Sequence, residues 1–329
     1  MKVVIYNETI FSGGIEKCIE MLICYFNKKC DFEIVYVDEK KIDINIVNNL
    51  KKYAKVHKLE DNQIIEADIC IWCRLYMDYN KLKKQIKAKK YYLWVHSKPR
   101  ERENCLLDDK EFLDTLDGII CVSNTIKEML DVDEKSCVIH NFLPQNIKNL
   151  AAEDFDDEVF KDKTKLKLIT VSRLSRGKGF ERISRLLKML KQNKIDFEYI
   201  IIGKGRAKEK EIKDELSVYK EVKFLGYKEN PYPYIKKADY LVQLSDFESW
   251  GNVITESKML GTPVIVTNFK TANEQVIDNV NGILIDLEEK EYTKYLNKII
   301  DNKSLYRKNL EYFEYKNETH KWNDIFNNT

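Results

Sequence analysis

The chain has 329 residues, 43% of them hydrophobic, which is enough for the cores of two domains of about 150 residues each. Its 56 Lys and Arg residues nearly balance 54 Asp and Glu residues, for a formal charge of +2, so the overall charge predicts no nucleic-acid partner. All eight cysteines fall in the first 137 residues, mostly inside apolar runs, which predicts reduced, buried thiols.

The apolar run at the amino terminus is too short for a signal peptide, and no stretch approaches the roughly 18 apolar residues of a membrane span. We therefore expect a cytoplasmic protein that is either soluble or attached peripherally to the inner face of the membrane.

The first half of the chain alternates short apolar runs with segments of helical periodicity such as IEKCIEMLICYF. The runs that predict strands are KVVIY, FEIVYV, ADICIWC, YYLWVH, GIICVS and SCVIH. This alternation predicts a parallel sheet with helices on both faces.

Two glycines and one histidine stand at the ends of these strands. Gly13 and Gly14 follow the first strand at a helix start, where paired glycines let the backbone approach a phosphate or a sugar; a tight turn explains them equally well. His96 ends the strand YYLWVH, where a structural and an active-site role are about equally favoured. Three further polar residues are expected at most to line a cleft: Ser123, Asn124 and Asn141.

Residues 81–102 are strongly basic. They contain nine Lys or Arg residues and one acidic residue, interleaved with Tyr91, Tyr92 and Trp94. A solvated helix face explains part of this charge. The alternative is contact with an anionic membrane surface or a phosphorylated acceptor, to which each nearby basic residue contributes on the order of 1 kcal/mol.

An acidic stretch at about residues 149–165 interrupts the pattern and predicts a domain boundary, with a first domain over residues 1–160 and a second over 161–329. The second half then resumes the alternation with KLITVSRL, EYIIIG, VKFLG, DYLVQL, TPVIVT and GILIDL. Two doubly wound units of this kind predict a ligand cleft at the carboxyl ends of their strands.

Two cations follow the first strand of the second half. In VSRLSRGKGF, Arg173 and Lys178 stand beside a glycine turn, where a pair of cations suits a diphosphate leaving group; surface charge is the alternative. Arg176 between them is a more ambiguous candidate. Gly203 follows EYIIIG without completing a dinucleotide-binding fingerprint.

The most informative segment is FESWGNVITESKMLGTPVIVT, in which Glu248 and Glu256 are eight positions apart. If a helix begins at about Asn252, its first free amides and dipole form an anion site between the two carboxylates. Each carboxylate can then accept hydrogen bonds from hydroxyl groups, one set on a sugar and one on a ribose. The segment resembles the glutamate-x7-glutamate motif of family 4 glycosyltransferases, which are retaining enzymes with the GT-B fold.

This resemblance implies an α/β fold of two facing Rossmann-like domains, with a C-terminal helix that crosses back to the first domain. Trp322 and Phe326 are candidate anchors of that helix, and ordinary packing explains them equally well. It places Arg173 and Lys178 on the donor phosphates and His96 beside the anomeric carbon. The other donor-binding residues that it implies are Gly13, Gly14, Gly203, Leu225, Glu248, Gly251, Asn252, Val253, Ile254 and Glu256.

The sequence and the resemblance together predict a retaining glycosyltransferase that moves a sugar from a nucleotide diphosphate, expected to be UDP, to a saccharide acceptor. The acceptor is expected to be a lipid-linked or surface-polysaccharide precursor. Catalysis would rest on His96, Glu248, Arg173 and Lys178, with no cofactor beyond the nucleotide-sugar co-substrate. The alternatives are a UDP-sugar 2-epimerase of the same fold and a non-catalytic protein that binds nucleotide sugars.

No essential metal is expected. The Asp-x-Asp strings Asp131 to Asp133 and Asp154 to Asp156 follow a helix and lie in the predicted linker, whereas a metal-binding string of this kind follows a central strand. Arg173, Lys178 and the helix terminus would supply the positive charge instead.

Overall fold

The computed structural model describes residues 1–11, 13–98, 105–130, 135–153, 159–205 and 208–327. The chain forms two compact units: the first unit comprises Met1–Leu143 and Asn317–Thr329, and the second unit comprises Pro144–Lys316. Each unit contains its own parallel sheet, as the alternating pattern predicts.

The central strands of each sheet carry the apolar runs and are largely buried. The described strands of the first unit are β1 (Lys2–Tyr6), β2 (Asp31–Tyr36), β3 (Lys55–Lys58), β4 (Ile65–Trp72), β5 (Ile86–Val95), β6 (Gly118–Cys121) and β7 (Ser136–Val138). Those of the second unit are β8 (Leu166–Val171), β9 (Phe197–Ile202), β10 (Val222–Gly226), β11 (Tyr240–Gln243), β12 (Val264–Thr267) and β13 (Gly282–Ile285).

Helices connect these strands. The described α-helices are, in chain order, α1 (Gly14–Phe26), α2 (Ile44–Leu50), α3 (Tyr79–Gln85), α4 (Lys110–Asp114), α5 (Asn124–Leu130), α6 (Ile147–Leu150), α7 (Phe180–Gln192), α8 (Glu209–Leu216), α9 (Tyr232–Lys237), α10 (Asn252–Met259), α11 (Ala272–Gln275), α12 (Leu296–Asp301), α13 (Lys303–Asn309) and α14 (Thr319–Asn327). Short 3₁₀ turns span Glu39–Lys41, Leu106–Asp108 and Tyr292–Tyr295.

Both sheets are doubly wound. The first has the strand order β3-β2-β1-β4-β5-β6-β7 and the second β10-β9-β8-β11-β12-β13, with parallel pairing throughout. The direction of winding reverses between β1 and β4 in the first sheet and between β8 and β11 in the second. In sheets of this kind, ligands bind at the carboxyl ends of the strands where the order reverses.

The sequence predicts the boundary between the units after residue 160, but the structure places it earlier in the chain. The second unit begins at Pro144, because apolar residues within the acidic stretch and just before it pack into the core of this unit. Ile147, Val159 and Phe160 are at most 5% exposed and belong to the cluster that contains the central residues of β8 and β11. Hydrophobic burial therefore assigns this stretch to the second unit.

The C-terminal helix α14 belongs to the first unit, as the resemblance implies. Trp322 is fully buried, and its ring lies 4.9 Å from that of Trp94 on β5. The ring of Phe326 lies 5.0 Å from that of Phe26 on α1. Edge-to-face aromatic contacts of this kind anchor the end of the chain on the first sheet.

Among the described residues, no helix combines the length and the apolar character that crossing a membrane would require.

Candidate functional site

The predicted cations and the first predicted glutamate lie in two adjacent loops of the second unit. Arg173 and Lys178 follow β8, Glu248 follows β11, and these neighbouring strands flank the point where the second sheet reverses its winding. The carboxyl ends of parallel strands meet at one edge of a sheet, so the strand order itself brings the two loops together. They form the candidate site described below.

Direct backbone contacts join the two loops. The N–H of Asp246 donates to the carbonyl of Gly177 at 2.9 Å. Arg182 on α7 adds a second connection, because its Nη1 donates to Oδ1 of Asp246 at 2.6 Å and to the carbonyl of Leu244 at 3.3 Å. The loops therefore have a defined mutual position.

The centre of the site is an ion pair between two residues that the sequence predicts to act on different parts of a donor. Nζ of Lys178 lies 2.6 Å from Oε1 of Glu248, and both side chains are mostly buried, at 19% and 15% exposure. Oε1 also accepts hydrogen bonds from Nε2 of Gln243 and from Oγ of Ser245, both at 2.8 Å. Lys178 is thus paired with the carboxylate, whereas the prediction assigns it to the phosphates alone.

Arg173 differs from Lys178 in being available for a ligand. Its side chain is exposed and has no hydrogen-bond or ion-pair partner in the described part of the chain. Arg176 is likewise exposed. An unpaired guanidinium at a strand end can form bidentate hydrogen bonds to a phosphate group.

Helix α10 begins at Asn252, the predicted position. Gly251 is its N-cap, with a φ of 76° that favours glycine. The N–H of Ile254 donates to the carbonyl of Gly251 at 2.9 Å and its side chain is fully buried, so Ile254 is less available to a ligand than the prediction supposes. The amides of Asn252 and Val253 lie in the first turn, where helix amides face an anion.

Glu256 lies one turn inside α10, also as predicted. It is 9% exposed, and its Oε1 accepts a hydrogen bond from the hydroxyl of Tyr232 at 3.3 Å. Tyr232 is itself buried, at 6% exposure, so its hydroxyl orients this carboxylate from a fixed position. The two glutamates therefore have separate hydrogen-bond partners.

Gly203 follows β9, which pairs with β8, and Leu225 lies at the end of β10, the next strand along the sheet. Gly203 has a φ of 146°, and a Cβ on it would lie 1.8 Å from the carbonyl oxygen of Ser172, so the close approach of the loops requires glycine here. Its N–H donates to the carbonyl of Gly226, the residue after Leu225, at 2.8 Å. Two residues that were not predicted extend this edge of the sheet. Tyr227 is 52% exposed, and Nζ of Lys204 lies 5.9 Å from the centre of the Tyr227 ring.

In the first unit, the glycine turn after β1 packs against the buried carboxylate of Glu16. Gly13 is the N-cap of α1, and a Cβ on it would lie 2.8 Å from Oε2 of Glu16, whereas a Cβ on Gly14 would meet nothing within 4 Å. Oε1 of Glu16 accepts from Nδ2 of Asn7 at 3.1 Å and from Nη2 of Arg74 at 3.3 Å. Arg74 follows β4, across the reversal point from β1, and no sequence motif identifies it.

His96 follows the end of β5, and its ring lies 4.3 Å from that of Trp94. Burial, assisted by the positive charge of Arg74, lowers the pKa of His96 to about 3, so the imidazole is neutral at physiological pH. Its Nε2 is buried without a hydrogen-bond partner in the described ranges. Ser123 instead has a structural contact, since its Oγ accepts from the N–H of Ile126 at the start of α5.

The basic segment is partly neutralised within the first unit. Lys81 pairs with Asp61 at 2.8 Å and Lys89 with Asp68 at 2.6 Å. Trp94 is 1% exposed, so it is a core residue and cannot insert into a bilayer. A shallow depression of about 380 Å³ at the amino ends of β1, β4 and β5 is lined by both signs of charge: Lys2, Glu66, Ala67, Asp68, Lys87, Ala88 and Lys89.

Both Asp-x-Asp strings lie outside the described residues, as do positions 99–102 of the basic segment. Within the described ranges, no group of three or more His, Cys, Asp or Glu side chains is arranged to hold a metal ion.

Comparison with known proteins identifies the family to which the chain belongs. The model of a family described as Glycosyl transferases group 1 matches residues 152–317, just over half of the 329-residue chain. This range contains the whole of the site in the second unit.

Curated glycosyltransferases align with part of the chain. A Campylobacter jejuni enzyme named N-acetylgalactosamine-N,N'-diacetylbacillosaminyl-diphospho-undecaprenol 4-alpha-N-acetylgalactosaminyltransferase is 29% identical over 161 residues, covering 48% of this chain and 42% of that enzyme. An uncharacterized glycosyltransferase of Methanocaldococcus jannaschii is 26% identical over 234 residues, covering 66% of this chain and 57% of its own. The chain spans about half the length of the curated relatives it matches.

Among solved structures, HepE of Anabaena in complex with UDP and glucose superimposes with a TM-score of 0.73. The match covers 94% of this chain and 92% of HepE at 17% identity. At that identity it shows the fold alone, which is the GT-B fold, and it confirms the predicted fold class.

Proposed function

The chain belongs to the group 1 glycosyl transferases, and on that premise we propose that it is a retaining, metal-independent enzyme of family 4. It transfers a sugar from a nucleotide diphosphate, UDP by preference, to a saccharide acceptor. The observation that carries this proposal is the 2.6 Å contact between Lys178 and Glu248 beside the exposed Arg173 and the first turn of α10.

The charges of this site suit a sugar diphosphate. Arg173 and the amides of Asn252 and Val253 receive the diphosphate, whose negative charge grows as the bond to the sugar breaks. Lys178 lies between this charge and the carboxylate of Glu248, which accepts hydrogen bonds from sugar hydroxyls. Glu256, held by Tyr232, accepts from the ribose.

Retention follows from departure and attack on the same face of the sugar. Stabilising the leaving diphosphate in this way requires no protein nucleophile, and the acceptor hydroxyl can pass its proton to the departing phosphate oxygen. His96 is neutral because burial lowers its pKa to about 3, so it can exchange hydrogen bonds with a sugar without adding charge.

The acceptor is a saccharide on a lipid carrier or a growing surface polysaccharide. Support comes from the Campylobacter relative, whose name describes transfer to a sugar joined through a diphosphate to undecaprenol. A peripheral contact with an anionic membrane is part of the same proposal, and exposed lysines such as Lys84 and Lys87 would supply it.

Nucleotide binding is the first property to test. A thermal-shift panel with UDP, GDP, ADP and CMP should show selective stabilisation by UDP, since a ligand at a hundred times its dissociation constant stabilises the fold by about 2.7 kcal/mol. Arg173→Gln should weaken this response, whereas Arg185→Gln, an exposed arginine on α7, is the matched control and should leave it unchanged.

The outcomes separate the alternatives. Stabilisation by GDP alone would indicate that the donors are GDP-sugars. No response to any nucleotide would contradict the proposal. A protein that binds UDP-sugars but releases no UDP with any acceptor would be a binding protein, and one that epimerises the sugar at C2 without an acceptor would be an epimerase.

A further inference from the structure

Glu248 is held at one oxygen and open at the other. Oε1 accepts three hydrogen bonds, from Lys178, Gln243 and Ser245, at 2.6, 2.8 and 2.8 Å. Oε2 accepts none from the residues that the structure describes. The carboxylate is therefore presented in one orientation, with Oε2 available to a ligand.

Gln243 and Ser245 form a closed set of hydrogen bonds with the carboxylate. Nε2 of Gln243 donates both to Glu248 and, at 2.7 Å, to Oγ of Ser245, while that hydroxyl gives its own proton to Glu248. Because an ionised carboxylate only accepts, the nitrogen of the Gln243 amide must face Glu248. The chemistry of the contact thus fixes the direction of every donor.

The two donors stand on rigid structure. Gln243 is the last residue of β11, is 2% exposed and pairs with Val266 of β12. Ser245 is fully buried, and its carbonyl accepts from Oγ1 of Thr267 at 2.5 Å. A ligand-binding group supported by strands is held more accurately than one supported by a loop alone.

The orientation of Gln243 has a cost. Its Oε1 is buried and accepts no hydrogen bond from the described residues. A buried acceptor without a partner destabilises a protein, so a glutamine that served the fold alone is not expected to be arranged in this way. The unsatisfied oxygen of Gln243 is explained if the role of its amide is to hold Glu248 in place.

On the proposed function, Glu248 must stay in place next to a diphosphate that attracts Lys178. We propose that Gln243 and Ser245 are positioning residues for Glu248. They retain Oε1 when the ammonium of Lys178 turns towards a phosphate, and they direct Oε2 to a hydroxyl of the transferred sugar. This inference rests on the proposed function and adds the two residues that orient its sugar-binding carboxylate.

The test separates sugar turnover from nucleotide binding. Ser245→Ala and Gln243→Met remove the donors with little change in volume, and Ser257→Ala removes a buried hydroxyl that bonds the carbonyl of Thr262 instead. For each variant, the dissociation constant of UDP is measured by calorimetry. The release of UDP from UDP-glucose, UDP-galactose, UDP-N-acetylglucosamine and UDP-N-acetylgalactosamine gives kcat and KM.

We expect Ser245→Ala and Gln243→Met to bind UDP within about twofold of the wild type while kcat falls by roughly tenfold to a hundredfold, the loss expected for a charged hydrogen bond. Ser257→Ala should match the wild type in both. Unchanged kcat, or a parallel loss of UDP affinity that shows only structural damage, would overturn the inference. A wild-type protein that neither binds UDP nor releases it would overturn the proposed function itself.

Discussion

Gly179 lies so close to Leu244 that a Cβ added to it would stand 1.6 Å from the carbonyl oxygen of Leu244. Gly179 is also the N-cap of α7, with a φ of 70°. Gly179 therefore ends the loop that carries Lys178. It also contacts Leu244, the first residue of the loop that carries Glu248. The absence of a side chain here is what allows Lys178 and Glu248 to meet.

Substitution Gly179→Ala should destabilise the second unit by about 3 kcal/mol or more, because the methyl group forces the loops apart and the backbone is left-handed. Gly261→Ala is the matched control: its φ is 72°, but a Cβ there would meet nothing within 4 Å. Gly261→Ala should lower the free energy of unfolding by only about 1 kcal/mol, because alanine is disfavoured in a left-handed backbone conformation. Urea denaturation measures both, and equal losses would contradict a steric role for Gly179.

The strands could be predicted because strands of a parallel sheet covered on both faces appear as continuous apolar runs. The strand β3, Lys55–Lys58, was missed because it lies at the sheet edge and Val56 is its one buried residue. The domain boundary was misplaced because Val159 and Phe160 are too few to mark a core segment within an acidic stretch. Their burial depends on neighbours that are distant in sequence.

The sequence suggests residues for the candidate site but does not predict the contacts between them. Glycine turns and the glutamate spacing identified Lys178 and Glu248, yet their direct contact depends on β8 and β11 being neighbours, which is a property of strand order. Gln243 looks like an ordinary strand residue, because its role depends on which way the end of β11 faces. Arg74 was missed for the same reason, since its partner Glu16 lies on a different element.

Lys178 and Glu248 should show strong energetic coupling. Each single change, Lys178→Met or Glu248→Gln, leaves the other charge mostly buried and without its partner, whereas the double variant removes both charges. We expect the double variant to be less destabilised than the sum of the single ones by about 1–2 kcal/mol. Unfolding free energies of the four proteins give this coupling.

A suitable control for this cycle is the exposed pair of Lys81 and Asp61 in the first unit, whose side chains are 56% and 86% exposed. Solvent screens such a pair, so its coupling should stay below about 1 kcal/mol. If the two cycles give the same value, the Lys178 contact contributes no more than a surface ion pair.

Lys258 is a buried cation without a carboxylate partner among the residues described. It lies on α10, two residues after Glu256, and is 3% exposed. Its Nζ donates to the carbonyl of Gln275 and lies 4.4 Å from the ring centre of Phe313. Burial lowers the pKa of Lys258 from 10.5 to about 8, because the charged form loses hydration that these contacts replace only in part.

This shift predicts how stability changes with pH. Between about pH 8 and 10.5 the unfolded chain holds the Lys258 proton and the folded chain does not, so stability rises with pH across this window. Lys258→Met should lack that rise, so the wild type should gain stability relative to the variant as the pH increases from 7.5 to 10. Lys188→Met, at an exposed position of α7, controls for the loss of a lysine. Unfolding midpoints in urea test the prediction, which fails if the difference between wild type and Lys258→Met is the same at every pH.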